Sequence, residues 1–377
     1  MSTTLSTSSF SSSSDQDRPE LRQAIEEIVG SGVLGVQLRV TDARGEWVGS
    51  AGARELGGGA EPLTDGHFRI GSSTKSFIAS SVLLLVAEGR IALDAPAAHY
   101  LPGFGLDRGI TVRMLLQHTS GIFSHTGELL EDGTVVPGIA WQGKAWVDDR
   151  FRTYRPEELV RLSLSKAPRF APGEGWSYSN TNYVLARLVI EEVTGRSFAE
   201  ELQRLIVRPL GLTGTVAPGA SPELPEPHHH SYYRYQDGGQ ERTLDVTRHN
   251  PSWVAAGGDM ISTTRDLHTY FSALMGGRLL PAELLGEMRT PEATVGYGLG
   301  VFAQEAEGGT VYHHNGATIG SAALMYGSAD GSRILTAGLN YVDDAELSLA
   351  AAFQKAQQLL VAEVFCGGQA GPAPSTD

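Results

Sequence analysis

The amino-acid sequence predicts an α+β fold: an antiparallel sheet flanked by helices from both chain ends, with an inserted all-α lobe. Both ends of the 377-residue chain combine strand patterns with a helix, whereas the middle is mostly helical with long loops. We therefore assign residues 19–90 and 290–368 to an α/β lobe and residues 91–289 to a mostly helical lobe. Residues 1–18 and 369–377 are predicted to be disordered tails. A site is expected in the cleft between the lobes.

The N-terminal part of the chain predicts a helix, a hairpin and a buried helix, in that order. Glu20–Val29 has apolar residues at helical spacing, and the glycines that follow end this helix. Val33–Val40 and Glu46–Ala51 are typical of two short strands joined by the turn Asp42–Gly45. Ser73–Glu88 is apolar on nearly all sides, which indicates a helix buried in the core.

The C-terminal part predicts two strands and a long helix, which would join the N-terminal elements in one layer. Ala322–Tyr326 and Arg333–Tyr341 have strand patterns, and Ala345–Phe365 has a helical pattern. In the middle, Pro218–His230 is predicted to be a loop because proline and histidine dominate it. The helices predicted in the middle are Thr111–Gln117, Pro156–Ser165, Asn182–Thr194, Phe198–Ile206 and Ser262–Met275.

The composition limits the possible partners and the compartment. With 29 basic and 43 acidic residues the formal net charge is −14, which disfavours nucleic acid or an anionic membrane as a partner. The serine-rich start lacks the apolar core of a secretory signal, and Val82–Ala87 is far shorter than the ~20 residues of a membrane span. We therefore expect a cytoplasmic monomer. Cys366, the single cysteine, excludes an internal disulfide and is expected to be a buried thiol.

Three motif-like stretches do not fit the chemistry that they suggest. Gly30–Gly35 matches GxGxxG but follows a helix and enters a strand, the reverse of a dinucleotide loop. Gly138–Lys144 has P-loop spacing, but Ala145 replaces the hydroxyl residue that would hold magnesium. His228–His230 are adjacent in a proline-rich loop without partner ligands at metal-site spacing. We expect no metal and no cofactor.

The segment around Ser72 carries the clearest chemistry. Lys75 lies three positions after Ser72, and residues i and i+3 share one face of a helix, so the ammonium group and the hydroxyl can meet. A serine hydroxyl becomes a good nucleophile when a base accepts its proton, and burial favours the neutral form of a lysine. A Ser-x-x-Lys spacing alone is weak evidence, because it also fits a helix cap followed by an exposed lysine.

Two further elements strengthen this interpretation. The stretch WSYSN supplies Tyr178, which can relay a proton, and Asn180, whose amide can bind both a lysine and a carbonyl group. The stretch HNG precedes a predicted strand. Its His314 would face the serine as a third polar group, and Gly316 would let a substrate backbone pass closely.

At these residues the chain resembles the penicillin-recognising serine enzymes, namely DD-peptidases, class C β-lactamases and related esterases, amidases and D-aminopeptidases. It is most similar to the Streptomyces D-alanyl-D-alanine carboxypeptidase type, from about residue 20 to 366. The resemblance implies the two-lobed DD-peptidase/β-lactamase-like fold. It rests on the stretches FRIGSSTKSF, LLQHTSGI, WSYSNTNYVLARLVIEEVTG, DMISTTRDLHTYFSALMGG, GYGLGV and HHNGATIG.

The resemblance also implies roles for the motif residues. Ser72 would be the acylated nucleophile with Lys75 as its basic partner, Tyr178 the proton relay and Asn180 a polar anchor. His314 and Gly316 would form the third element of the site. The backbone N–H groups of Ser72 and Ala317 would form the oxyanion hole, and Trp253 corresponds to an aromatic residue of the pocket.

The chain departs from the carboxypeptidase pattern where that type binds the free carboxylate of a terminal D-alanine. Two hydroxyl residues and an arginine of that type are here Asn315, Ala317 and Phe302. A buried carboxylate needs charge pairing or several hydrogen bonds, so we expect a pocket that does not select it. Phe302 and Trp253 would instead form an apolar wall for substrate side chains. Class C β-lactamases have lysine where this chain has His314, which disfavours a lactamase.

We therefore expect a serine acyl-enzyme hydrolase or acyltransferase that acts on D-residue peptides. Its leaving group would be an amide, an ester or a carrier-bound thioester, the last as in penicillin-binding-protein-type thioesterases that release and cyclise peptides. The partner would be a peptide or small acyl substrate. Three alternatives stay open: a secreted-type D-alanyl-D-alanine carboxypeptidase, an esterase or β-lactamase of the same fold, and a silent binding protein. The intact residues Ser72, Lys75 and Tyr178 disfavour the last. Glu174 is expected to be a turn residue exposed to solvent.

Overall fold

The computed structural model describes residues 18–130 and 133–366, so nearly all of both predicted tails lies outside the described residues. The strands are β1 (Gly35–Asp42), β2 (Gly45–Gly52), β3 (Phe68–Arg69), β4 (Glu128–Leu129), β5 (Val135–Val136), β6 (Tyr232–Asp237), β7 (Gln240–Asp245), β8 (Ile261–Ser262), β9 (Phe302–Ala306), β10 (Gly309–His313), β11 (Gly316–Thr318), β12 (Ser321–Ser328), β13 (Ile334–Asn340) and β14 (Val342–Asp344).

The helices lie mainly between β3 and β9. They are α1 (Pro19–Gly30), α2 (Thr74–Ala87), α3 (Ala97–Tyr100), α4 (Val112–Gln117), α5 (Gly143–Asp149), α6 (Pro156–Leu164), α7 (Asn180–Thr194), α8 (Phe198–Leu202), α9 (Arg208–Leu210), α10 (Thr264–Met275), α11 (Ala282–Arg289) and α12 (Ala350–Phe365). Short 3₁₀ turns occupy Gly71–Ser73, Pro102–Phe104, Pro251–Trp253 and Ala255–Gly257, and Gln203–Val207 is π-helical.

The central sheet joins the two ends of the chain, and the predicted α+β class is confirmed. The strand order is β2-β1-β13-β12-β10-β9, with β11 paired to β12, and all of these pairs are antiparallel. Because β1 pairs with β13 along its length, the N-terminal hairpin and the C-terminal strands form one layer. Helices α1 and α12 share a core with one face of this sheet, and α10 packs against the other.

Helix α2 lies at the centre of the larger core and carries the residues that matter most below. Eleven of its 14 residues are buried, so the helix has no solvent-facing side, as the sequence predicted. It packs against α7 and α8, whose apolar residues belong to the same core. Tyr270 of α10 stacks on Phe77 of α2 with ring centroids 3.7 Å apart. Its hydroxyl lies 2.9 Å from both Ser76 Oγ and Ser80 Oγ, so α10 and α2 are joined by polar as well as apolar contacts.

Several predicted details were wrong. The last helix begins at Ala350, not Ala345, and Phe198–Ile206 is a short helix followed by a π-helical turn. The hairpin β6–β7 was not predicted, because most of its side chains are at least partly exposed and it lacks apolar alternation. Cys366 is partly exposed, not buried. In the described residues, no helix is long and apolar enough to cross a membrane.

The polar contact between α10 and α2 predicts a measurable cost in stability. Tyr270→Phe removes the hydroxyl and leaves Ser76 and Ser80 without this partner, so we expect the free energy of unfolding to fall by about 1–2 kcal/mol. The triple variant Tyr270→Phe/Ser76→Ala/Ser80→Ala removes both sides of the contact and should recover most of this loss. Urea unfolding measures both. If the triple variant is less stable than the single one, the hydroxyl contact is not the cause.

Candidate active site

Ser72 lies in the 3₁₀ turn Gly71–Ser73, directly before α2, and not in the helix itself. The turn still brings Lys75 onto the same side, since Lys75 Nζ lies 3.1 Å from Ser72 Oγ. On its other side, the Tyr178 hydroxyl donates a hydrogen bond to Ser72 Oγ at 2.8 Å. The serine oxygen is therefore held between an amine and a phenol, and the two motifs that the sequence predicted to meet are in contact.

Lys75 is fully buried and has three polar neighbours. Besides Ser72, its Nζ donates to Asn180 Oδ1 at 2.7 Å and to the Gly257 carbonyl oxygen at 2.6 Å. Burial lowers the pKa of Lys75 well below its usual value, and the negative charge of the buried Asp259 opposes this shift only in part. The environment thus favours a neutral amine beside the serine.

Tyr178 and Asn180 are held by the segment that enters α7. The amide nitrogen of Asn180 donates to Thr126 Oγ1 at 3.1 Å, which turns its carbonyl oxygen toward Lys75. Burial raises the pKa of Tyr178 above its usual value, so its phenol keeps its proton. Lys75 Nζ also lies 4.6 Å from the centre of the Tyr178 ring. Ser72, Lys75, Tyr178 and Asn180 therefore form one connected group.

The nucleophile turn and strand β11 cross with almost no space between their backbones. A Cβ atom added to Gly316 would lie 2.0 Å from the Ile70 carbonyl oxygen and 2.6 Å from Ser72 N. Gly71 has φ +49°, and a Cβ there would lie 2.6 Å from Ala317 N. The expectation that Gly316 also makes room for a substrate backbone stays a prediction. The glycine makes room for the turn that carries Ser72.

This crossing places Ala317 beside Ser72. Ser73 Oγ donates to the His314 carbonyl oxygen at 2.7 Å, and Ser321 Oγ donates to the Arg69 carbonyl oxygen at 2.8 Å, so two side chains fasten the turn to the sheet. The side chain of Ala317 itself is exposed. An oxyanion hole built from the backbone N–H groups of Ser72 and Ala317 stays a prediction.

The contacts of His314 differ from the expectation that it faces the serine. Its Nε2 lies 3.1 Å from the Tyr297 hydroxyl and its Nδ1 lies 2.8 Å from the Asn315 carbonyl oxygen, so both ring nitrogens are engaged away from Ser72. Burial lowers the pKa of His314 to about 3. A neutral imidazole results, and its part in the reaction stays a prediction.

Asn315 does not reach the site, and its predicted contact with substrate is wrong. Its amide nitrogen donates to the Tyr326 hydroxyl at 2.6 Å and to Gln357 Oε1 of α12 at 3.0 Å. These partners belong to the opposite side of the sheet, where α12 packs. Successive residues of an extended chain point to opposite faces, which explains how Asn315 and its neighbour His314 diverge.

Trp253 and Phe302 do not form a common wall. Trp253 lines an apolar cavity of about 300 Å³ together with Trp141, Ala317 and Phe353. Phe302 is absent from this lining. It stacks on His313 with ring centroids 5.2 Å apart and meets the edge of Tyr297 at 4.5 Å. The cavity lining therefore includes Ala317 of β11 but not Phe302.

Sequence reasoning missed the groups that hold Lys75 and Asn180. The Gly257 carbonyl oxygen is 182 positions from Lys75, and a backbone oxygen leaves no mark in a sequence. Thr126 was not considered, although it follows the quoted stretch LLQHTSGI closely. Glu174 is exposed, as expected. In the histidine run, His229 contacts the Leu63 carbonyl and His230 contacts Asp245, so these rings have separate partners.

Comparison with known proteins identifies the family of this site. The beta-lactamase family model matches residues 21–357, which is most of the chain. The chain belongs to the beta-lactamase family. This membership confirms the predicted resemblance to penicillin-recognising serine enzymes.

Solved structures and a curated relative of this beta-lactamase family member agree with the assignment. A D-stereospecific amidohydrolase from Streptomyces sp. is 38% identical, with a TM-score of 0.76, and the match covers 89% of this chain and 98% of that one. A D-amino acid amidase from Ochrobactrum anthropi SV3, complexed with D-phenylalanine, is 25% identical, with a TM-score of 0.77, and the match covers 92% and 98%.

The curated relative is a putative penicillin-binding protein, PbpX, of Bacillus subtilis. It is 28% identical over 288 residues, which are 76% of this chain and 64% of the relative. The match thus spans less than two thirds of the relative's length. Together, the family and its neighbours support a serine hydrolase of this fold.

The backbone crossing at Gly316 predicts a strict requirement for glycine. Gly316→Ala would place a methyl group in contact with three backbone atoms that carry or adjoin the nucleophile, so the turn must move. We expect a loss of about 2–4 kcal/mol in unfolding free energy and at least about 100-fold in activity. Gly286→Ala, in α11 with nothing within 4 Å of the added atom, is the matched control. If Gly316→Ala and Gly286→Ala have the same unfolding free energy and the same activity, the steric argument is disproved.

Proposed function

We propose that this protein hydrolyses an amide bond at the carbonyl group of a D-configured residue, through an acyl-enzyme on Ser72. The observation that carries the proposal is the position of Ser72 Oγ, 3.1 Å from Lys75 Nζ and 2.8 Å from the Tyr178 hydroxyl. The substrate class is supported by the Streptomyces amidohydrolase, whose name states D-stereospecificity and which aligns over 98% of its length.

The hydrogen bonds around Lys75 favour it as the base. Asn180 Oδ1 and the Gly257 carbonyl oxygen can only accept, and a neutral amine has two N–H bonds to give them. Its lone pair is then free for the hydroxyl proton of Ser72. Because burial lowers the pKa of Lys75, this neutral form is accessible, whereas the raised pKa of Tyr178 keeps the phenol a donor. Lys75 therefore takes the proton, and Tyr178 gives one.

Lys75 and Tyr178 together can accept and donate every proton that the proposed reaction moves. Lys75 takes the Ser72 proton as Oγ bonds to the carbonyl carbon, and the oxyanion is bound by the backbone N–H groups of Ser72 and Ala317. The C–N bond then breaks, and the leaving nitrogen receives a proton from Tyr178, which is replenished from Lys75. In the second half, water adds to the acyl-enzyme, its proton passes to Lys75, and Ser72 regains a proton as the acid leaves.

The cavity beside Ala317 supports a substrate with a large apolar group. Trp253, Trp141 and Phe353 line it, and most of its surface is apolar. An aromatic or branched side chain placed there would be removed from water at about 25 cal/mol per Å². The amidase from Ochrobactrum, solved with D-phenylalanine, supports this choice of probe.

The same geometry fits acyl transfer to an amine, including release of a peptide from an ester or carrier thioester. In that reaction an amine replaces water in the second half, and Lys75 would accept its proton in the same way. Adding a D-amino-acid amide as acceptor distinguishes the two reactions, because only acyl transfer yields a dipeptide. The expected location in the cytoplasm and the monomeric state are likewise proposals.

The nucleophile is tested with D-phenylalanine amide and with p-nitrophenyl acetate. We expect the wild type to release ammonia from the D-amide at least about tenfold faster than from the L-amide, and p-nitrophenyl acetate to leave an acetyl group on Ser72 by peptide mass spectrometry. Ser72→Ala should abolish both the release of ammonia and the acetylation. Ser81→Ala changes a buried serine of α2 whose hydroxyl donates to the Phe77 carbonyl oxygen of the same helix, and it should leave both results unchanged. An acetyl group on another residue would refute the assignment of Ser72.

The leaving-group pocket is tested with a matched pair of peptides. Acetyl-D-alanyl-D-alanine carries a carboxylate that would lie near Phe302 and the neutral His314, whereas its terminal amide carries none. We expect kcat/KM to favour the amide by at least about 100-fold, since an unpaired buried charge costs several kcal/mol. Phe302→Arg should lower the ratio of kcat/KM for the amide to kcat/KM for the free acid, and Phe302→Leu should leave this ratio unchanged. The proposal fails if the free acid reacts as fast as the amide in the wild type.

A further inference from the structure

His118 holds the segment that carries Tyr178 at two points. Its carbonyl oxygen accepts the Ser177 N–H at 3.0 Å, and its ring Nδ1 accepts the Ser179 N–H at 3.2 Å. These donors are the residues immediately before and after Tyr178. His118 therefore binds the backbone immediately before and after Tyr178, whose hydroxyl contacts Ser72.

The ring of His118 also packs on Tyr178 itself. The two ring centroids are 4.4 Å apart, at an interplanar angle of 39°. His118 is fully buried, and the rings of Trp176, Tyr183 and Tyr297 surround it at 5.0–6.0 Å. The phenol of Tyr178 is therefore fixed by ring packing as well as by its backbone.

The proton on the ring can be placed from these contacts. Nδ1 also faces the amide nitrogen of Asn182 at 3.2 Å, so it accepts from two donors and carries no proton. The proton of a neutral ring is then on Nε2, which has no hydrogen-bond partner among the described residues. Burial lowers the pKa of His118 well below its usual value, which agrees with the neutral form.

The backbone of His118 adds a constraint on which residue can serve here. It ends α4 with φ +65°, a left-handed conformation that few residues other than glycine, asparagine, aspartate and histidine adopt readily. A buried N–H without a partner is costly, so a residue kept in this conformation with an unpaired Nε2 calls for an explanation. The contacts of His118 with Tyr178 and its neighbours supply this explanation.

We propose that His118 is a positioning residue for the reaction: its carbonyl oxygen, Nδ1 and ring face hold the Tyr178 hydroxyl against Ser72. The inference rests on the proposed role of Tyr178 but not on the identity of the substrate. It predicts that a change at His118 acts on turnover through Tyr178, and not on substrate binding.

Three variants separate the acceptor from the ring. His118→Phe keeps an aromatic ring but loses the Nδ1 acceptor. His118→Asn keeps an acceptor at the δ position and tolerates the positive φ. His118→Gln carries its amide one bond further out, where it cannot accept the Ser179 N–H in the same place. It serves as the second test of acceptor loss if the Phe variant does not fold.

With D-phenylalanine p-nitroanilide, we expect His118→Phe to lower kcat by about 100-fold with KM changed less than about threefold. His118→Asn should retain activity within about tenfold of the wild type. In a Tyr178→Phe background, His118→Phe should cost less than about threefold more, because it acts through the missing hydroxyl. Thermal unfolding of each variant accounts for any loss of folded protein.

The inference is overturned if His118→Phe costs the same factor with and without the Tyr178 hydroxyl, or if His118→Asn is as slow as His118→Phe or His118→Gln. The failure of the proposed substrate class is recognised separately. In that case the wild type does not cleave the D-anilide. The rate of Ser72 acetylation by p-nitrophenyl acetate then serves as the measure of activity, and we expect the variants to rank in the same order.

Discussion

The burial of Lys75 beside Ser72 is the constraint on which the rest of the site depends. An ammonium group taken from water is costly unless it is paired, and the groups nearest to it are an amide oxygen and a backbone oxygen, both uncharged. The buried carboxylate of Asp259 offsets only part of the cost. The structure resolves this by favouring the neutral amine, the form that can take a proton from serine.

Lys75 can act as a base only if the groups that bind it stay in place, and glycines allow the close packing that holds these groups. Gly257 presents its carbonyl oxygen to Lys75, and a Cβ there would lie 2.8 Å from Asn180 Oδ1. Gly71 and Gly316 let the nucleophile turn lie directly on β11. Gly71 and Gly316 remove side chains where the turn and β11 meet, and Gly257 leaves room for the side chain of Asn180, so the site depends on close approach around these three glycines.

The sequence predicted what depends on local spacing and missed what depends on distant contacts. The proximity of Ser72 and Lys75 follows from three residues of turn and helix, and the apolar run of α2 could only be buried. Asn315 was misassigned because its direction is set by Tyr326 and Gln357, which are 11 and 42 positions away. The hairpin β6–β7 was missed because it is half-exposed and carries no alternating apolar pattern.

The histidine rings near the serine are uncharged. Burial lowers the pKa of His118, of His125 to about 4 and of His314 to about 3, so all three rings are neutral at physiological pH. Each of these shifts has desolvation as its largest cause. Sites that bind carboxylates keep cations for them. The neutral rings offer no positive charge to a carboxylate, which agrees with the proposed preference for a substrate that ends in an amide or an ester.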